Sequence, residues 1–134
     1  MQRPGVGVGV IVIKEGKVLL GKRTDSHGVG SFCWPGGHLE NWETIEECAR
    51  REVLEEAGVE VENIRLGPYT NDFFEKEGKH YVTLCVITDW KSGEARVLKK
   101  EKMSDWQWFN WNDLPSPLFL SCENLVKSGF NPFR

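Results

Sequence analysis

Glu52, Glu55 and Glu56 stand at i, i+3 and i+4 within the run Arg51 to Val59. On a helix this spacing turns the three carboxylates to one side, where they repel one another unless something positive sits among them. The usual reading of a Glu-rich helix is a solvated acidic face, and the helical phase argues against it. Ile45, Ala49, Glu52 and Glu56 follow one another along the seam that normally carries the apolar residues of an amphipathic helix. Carboxylates that continue an apolar stripe are costly unless paired or bound to metal, and no Lys is placed on that seam to pair with them. An oxygen-only ligand set suits a hard cation, Mg²⁺ with Mn²⁺ as a substitute. Such an ion polarises phosphoryl oxygens and lowers the pKa of a bound water, so the chemistry indicated is phosphate chemistry. Arg51 admits two readings. It completes an ion-pair ladder with Glu47 and Glu55, or it orients Glu55 and eases the clustering of carboxylates.

The elements that must position these residues are readable on either side. Thr44 and Glu47 have the spacing of a capping box and Gly58 is placed to end the helix. Before it, Val6 to Val12 and Val18 to Leu20 read as strands joined by a turn at Lys14 to Lys17. Thr24 to Gly30 reads as a loop, and Pro35-Gly36-Gly37 breaks the short apolar stretch Phe32 to Trp34. After the helix, Ile64 to Phe74 and His80 to Trp90 read as two long strands. A short strand carries Trp106 and Trp108 on one face, as ordinary packing, and a last helix spans Leu118 to Lys127. Strands outnumber helices, which predicts a mixed sheet covered by helices.

A chain of 134 residues is read as a single domain, 1–134, burying roughly two-thirds of its unfolded surface. The net charge of −3 lacks the basic footprint of a protein that binds long nucleic acids. No apolar run reaches the length that spans a bilayer. Cys33, Cys48, Cys85 and Cys122 are widely spaced, with no C-x-x-C pair. They predict thiols in a reducing compartment, not a zinc site or a disulfide framework. With no secretory leader in the sequence, a cytoplasmic location is expected.

Gly37, Glu43, Arg51-Glu52-Val53, Glu55-Glu56 and Gly58-Val59 fill the fixed positions of the Nudix box, here residues 37–59, and the chain resembles the Nudix hydrolase superfamily. Outside the box, Arg3 to Val10, Gly30 to Glu40, Asn71 to Thr83 and Gly129 to Phe133 are similar to its nucleotide triphosphate diphosphatase branch. The resemblance implies an α/β fold, an α/β/α sandwich with a mixed sheet and a loop-helix-loop catalytic motif. It implies release of pyrophosphate and a nucleoside monophosphate from a small nucleotide substrate, often an oxidised or modified one, by an enzyme that is commonly a homodimer. It makes Glu52, Glu55, Glu56 and the carbonyl of Gly36 metal ligands, Arg51 the residue that orients a glutamate, and Glu43 a support of the box. Glu52 is the first candidate for general base. Glu101 is the second, as the loop glutamate that Nudix enzymes often add; its other reading is a solvated residue among Lys99, Lys100 and Lys102.

Lys22-Arg23 reads by default as an exposed basic pair, and the resemblance makes Arg23 the candidate phosphate contact; His38 is either a structural residue or a contact to phosphate or base. Phe73, Thr83, Phe119 and Leu120 are candidates for the base pocket. The chain departs from the branch at Phe119-Leu120, where the branch can place a Trp beside the base. Rival substrates are ADP-ribose and dinucleoside polyphosphates. A silent nucleotide-binding or protein-interaction module is the rival of another class, and the retained box glutamates count against it.

Overall fold

The computed structural model describes residues 2–134. Its centre is β1 (Gly5–Lys14), which runs parallel to β6 (Lys79–Ser92) from Gly5↔Tyr81 to Ile13↔Asp89. β5 (Glu60–Phe74) lies antiparallel beyond β6 as an edge strand. The other side of β1 is shared. β2 (Lys17–Arg23) meets its end at Ile13 and Lys14, and β4 (Gly36–His38) meets Gly7 to Gly9. β2 also pairs with β3 (Phe32–Cys33) and with β7 (Met103–Asn110). Helix α1 (Ile45–Ala57) packs on β1, β4 and β5, and α2 (Leu120–Lys127) packs on β5. This is the mixed sheet with covering helices that the sequence predicts.

The continuous apolar run of β1 is explained by its position. Val8, Val10, Ile11 and Val12 are buried, as expected of a parallel central strand covered on both faces. Cys48, Ala49, Val53 and Ala57 of α1 join Val18, Leu19, Leu20, Val86 and Met103 in the same core. The four cysteines are buried and unbridged. Burial pushes the Cys85 thiol up to about 12, so it behaves as a packing residue. No helix among the described residues is long and apolar enough to cross a membrane.

Most elements differ from the sequence reading by one to three residues at an end, α2 beginning at Leu120 and not Leu118 among them, and two differences have a clear cause. Gly36 and Gly37 do not simply break a strand; with His38 they form β4, and the absence of a Cβ on Gly36 lets that backbone lie directly against Val8 and Gly9 of β1. β5 begins at Glu60, not Ile64, through register shifts between Glu62 and Arg65 and between Leu66 and Tyr69 that hide its alternation.

Asp72 on β5 is fully buried and was not singled out by sequence. Its carboxylate accepts from Thr70 Oγ1 at 3.2 Å, from Asn124 Nδ2 at 2.9 Å and from the Thr83 hydroxyl, tying β5, β6 and α2 together. Asp72→Ala leaves those donors without their shared acceptor and is expected to destabilise the protein by about 2–4 kcal/mol. Urea denaturation measures this, and a loss below ~1 kcal/mol would show that the network carries no stability.

Candidate active site

Helix α1 is closed at both ends as its sequence indicates. Thr44 Oγ1 accepts from Glu47 N at 3.1 Å and Glu47 Oε1 accepts from Thr44 N at 2.9 Å, while Gly58 takes the left-handed conformation with φ 69°. Glu47 is therefore spent on the cap and is not part of a ladder with Arg51. Arg51 pairs instead with Glu43 at 2.6 Å, Glu52 at 2.5 Å and, more distantly, Glu55 at 3.4 Å. It orients Glu52 more closely than Glu55. The hydrogen bond from Arg51 holds the Glu43 carboxyl down at about 2. A depressed carboxylate stabilises the fold above its unfolded value near 4.5 and ceases to do so as pH falls through about 2. The stability advantage of the wild type over Glu43→Gln should therefore be full at neutral pH and shrink across that acid window. A difference that stays constant over it in equilibrium unfolding would contradict the pairing.

Glu52 and Glu56 are buried, as the seam argument requires. Burial, followed by the charge of Glu56, pushes the Glu52 carboxyl above the usual range. The expectation that nothing positive pairs with the seam is wrong. Lys102, on the connection between β6 and β7, places Nζ 2.5 Å from Glu56 Oε2 and 3.5 Å from the Gly36 carbonyl oxygen. Burial pulls the Lys102 ammonium down in pKa, and Glu56 more than offsets that, so the net shift is upward. The second oxygen of Glu56 accepts from Gly36 N at 3.1 Å.

The connection from β6 to β7, and β7 itself, add donors to the last carbonyls of α1. Arg96 N donates to the Ala57 carbonyl at 3.0 Å, and Trp106 Nε1 donates to the Glu56 carbonyl at 3.1 Å. Trp106 is thus a hydrogen-bonding partner of the glutamate helix as well as a core residue.

A cleft of about 300 Å³ opens on this corner. Gly36, Gly37, His38, Glu56 and Lys102 line it, together with Arg23, His27, Phe74, Tyr81, Thr83 and Phe119. Of the expected site residues, Glu56, Gly36, His38, Arg23, Thr83 and Phe119 are brought together here. Glu52 and Arg51 stand behind Gly37 and do not border the cleft; a Cβ on Gly37 would lie 2.0 Å from Glu52 Oε2. Glu55 is exposed and shared between Arg51 and Lys99, at 3.4 and 3.5 Å. Glu101 is exposed and off the cleft; the adjacent residue, Lys102, turns inward in its place. Leu120 and Phe73 also lie off the cleft. Around the start of α2 it is Phe119, Ser121 and Cys122 that reach the wall, and on β5 it is Phe74.

Arg23 is on the wall but largely committed. Nη2 pairs with Asp25 at 3.0 Å, Nε donates to the His27 carbonyl at 2.8 Å, and the guanidinium covers the Phe119 ring at 4.3 Å. In this arrangement it braces the aromatic wall. His27, read from sequence as a loop residue, packs between Phe74 and Phe119 with ring centroids at 4.5 and 5.4 Å. Its proton affinity is lowered by burial and then by Arg23.

The donor chemistry fits a hard cation. Glu56 and the Gly36 carbonyl already share one positive group, the Lys102 ammonium, with Glu52 close behind. No three His, Cys, Asp or Glu side chains are arranged to hold a metal among the described residues; Arg51 engages Glu43, Glu52 and Glu55, and Lys102 engages Glu56.

The NUDIX domain family matches residues 3–126. The ADP-ribose pyrophosphatase of Methanocaldococcus jannaschii is 35% identical over 126 residues, 92% of this chain and 72% of that protein. The oxidized purine nucleoside triphosphate hydrolase of Danio rerio is 34% identical, over 79% of this chain and 66% of its own length. Among solved structures, a MutT NUDIX hydrolase from Burkholderia pseudomallei superposes with a TM-score of 0.86 at 30% identity, covering 93% of this chain and 98% of the other. With the box helix, its glutamates and the sheet in place, the chain belongs to the Nudix hydrolase family, enzymes that act on pyrophosphate bonds.

Proposed function

We propose that the protein is a divalent-metal-dependent nucleoside triphosphate diphosphatase, acting on a purine deoxynucleotide or an oxidised or modified form of one. The observation that carries this reading is a single cleft in which a buried carboxylate and a backbone carbonyl sit with an aromatic wall of His27, Phe74 and Phe119. Such a cleft has a place for a charged polyphosphate and a place for a flat base. The similarity to a triphosphate hydrolase of oxidized purines supports it.

Mg²⁺, held by Glu56, the Gly36 carbonyl and Glu52, would supply charge neutralisation at the phosphates and an acidified water. The chain's own residues supply position. Arg51 fixes Glu52, and Gly36 N fixes Glu56. Arg23 keeps Phe119 in place, and Thr83, anchored on Asp72, and His38 complete the walls. The reaction is hydrolytic substitution: water attacks one of the two phosphorus atoms, the bond from that phosphorus to the α–β bridging oxygen breaks, and the oxygen leaves with the other fragment, giving a nucleoside monophosphate, pyrophosphate and the protons of the water. Phe119-Leu120 stands where the branch can place a Trp beside the base, so base discrimination is expected to be looser; stacking on an aromatic ring is worth roughly 1–3 kcal/mol per base. A cytoplasmic homodimer belongs to this reading.

Turnover of the four deoxynucleoside triphosphates, an oxidised guanine triphosphate and ADP-ribose in ¹⁸O-labelled water tests it. Pyrophosphate and monophosphate are the expected products, with activity lost in EDTA and restored by Mg²⁺. Orthophosphate release would overturn the bond assignment, and full turnover in excess EDTA would overturn the metal. The second reading is ADP-ribose hydrolysis, favoured by the relative matched over 92% of this chain. Turnover of ADP-ribose with none of any triphosphate would establish it.

A further inference from the structure

We propose that Lys102 is a resident counter-ion, occupying the cation position between Glu56 and Gly36 in the metal-free protein and giving it up when a divalent ion enters. The proposal rests on the reading of Glu56 and the Gly36 carbonyl as metal ligands. Three observations carry it. First, the ammonium contacts both ligands, at 2.5 Å from Glu56 Oε2 and 3.5 Å from Gly36 O. Second, Glu56 is 2% exposed, so without Lys102 it would be a buried carboxylate with only one backbone donor, an arrangement the fold tolerates poorly. Third, the backbone of Lys102 is fixed while its side chain need not be. Its N–H is bonded to Lys99 O at 3.1 Å and its carbonyl accepts from Thr24 N at 2.9 Å, yet the side chain is 28% exposed and lines the open cleft. A four-carbon stem anchored at its base can withdraw its head toward water without moving the chain.

The consequence is a built-in competitor. Without the ion Lys102 supplies the counter-charge of Glu56, and the apparent metal affinity is the intrinsic affinity scaled by the fraction of time that Lys102 leaves the site vacant. Removing the ammonium should therefore tighten metal binding and weaken the metal-free fold. A merely structural lysine would give only the second effect.

The test is Mn²⁺ binding without nucleotide, followed by the paramagnetic resonance signal of the free ion, for the wild type, Lys102→Met, Lys102→Arg and Glu56→Gln, with melting in EDTA and in Mn²⁺. Lys102→Met should bind Mn²⁺ about tenfold more tightly than the wild type, melt lower in EDTA and gain more from Mn²⁺. Lys102→Arg, which keeps the charge, should bind no more tightly than the wild type. A second measurement needs no variant: acetylation of Lys102 in the wild type, read by mass spectrometry, should rise when Mn²⁺ is added. Unchanged or weaker Mn²⁺ binding by a folded Lys102→Met, or a Lys102 reactivity that does not rise with Mn²⁺, overturns the proposal, and Mn²⁺ binding that is lost in Glu56→Gln shows that the metal reading survives it. Mn²⁺ binding indifferent to Glu56→Gln overturns the ligand assignment itself and the proposal with it.

Discussion

Glu56→Gln is expected to lower kcat by several hundred-fold or more at saturating Mg²⁺, equivalent to roughly 3–5 kcal/mol of lost transition-state stabilisation. The amide keeps the shape of the side chain and can still accept from Gly36 N, so the loss reports charge and not packing. From the sequence alone, the like-charge spacing of Glu52 and Glu56 suggests that this substitution relieves repulsion and stabilises the fold. The structure reverses that expectation. Lys102 already compensates Glu56, and removing the carboxylate leaves a half-buried ammonium without its partner. Because that ammonium can turn toward water, the destabilisation in EDTA should be modest, about 1–3 kcal/mol. Steady-state kinetics beside thermal melting separates the two effects. Near wild-type kcat would remove Glu56 from the metal site, and a higher melting temperature in EDTA would refute the pairing with Lys102.

The second large effect is predicted for Gly37→Ala. Gly37 needs no unusual backbone angle; the constraint is proximity. A Cβ there would stand 2.0 Å from Glu52 Oε2 and 2.5 Å from its Cδ, far inside contact distance. Glu52 must swing away, which breaks its bond to Arg51 and removes it from the neighbourhood of Glu56. A misplacement of about 1 Å in a catalytic group costs on the order of a hundred-fold in rate, and that is the drop expected in kcat/KM. The same methyl group should be nearly neutral when Glu52 is absent. In a cycle of Gly37→Ala and Glu52→Ala, the double variant should be no slower than Glu52→Ala alone. Additive losses would show that the alanine acts on the backbone of β4 and not through Glu52.

What was legible in the sequence follows from range. The capping box, the left-handed Gly58 and the inward phase of Glu52 and Glu56 are set by neighbours within a turn or two, and the structure places them as read. Lys102 is 46 residues from Glu56, in a polar run whose lysines look alike. Only the return of β7 beside β2 decides which residue of that run faces inward; Lys102 lines the cleft and its neighbour Glu101 is exposed. Asp72 was hidden for a similar reason. Its partners Thr83 and Asn124 lie on other elements, and a single Asp in a strand carries no local signal. His27 reads as a loop residue because its loop is polar, yet Phe74 and Phe119 arrive from β5 and the edge of α2 to enclose it.

The hydrogen bonds from Arg96 and Trp106 to the last turn of α1 bear on whether this helix is portable. Its final carbonyls are satisfied by donors lying far along the chain, and the same stretch delivers the lysine that faces Glu56. Transplanted into a foreign scaffold, residues 37–59 would bring their glutamates, Arg51 and the Gly58 cap, but neither the donors to the Glu56 and Ala57 carbonyls nor the lysine that faces Glu56. The heritable unit of this site is therefore two separated segments, and a recombination breakpoint falling between them would be expected to yield chimaeras that carry every box residue and still fail to hold the helix end in register.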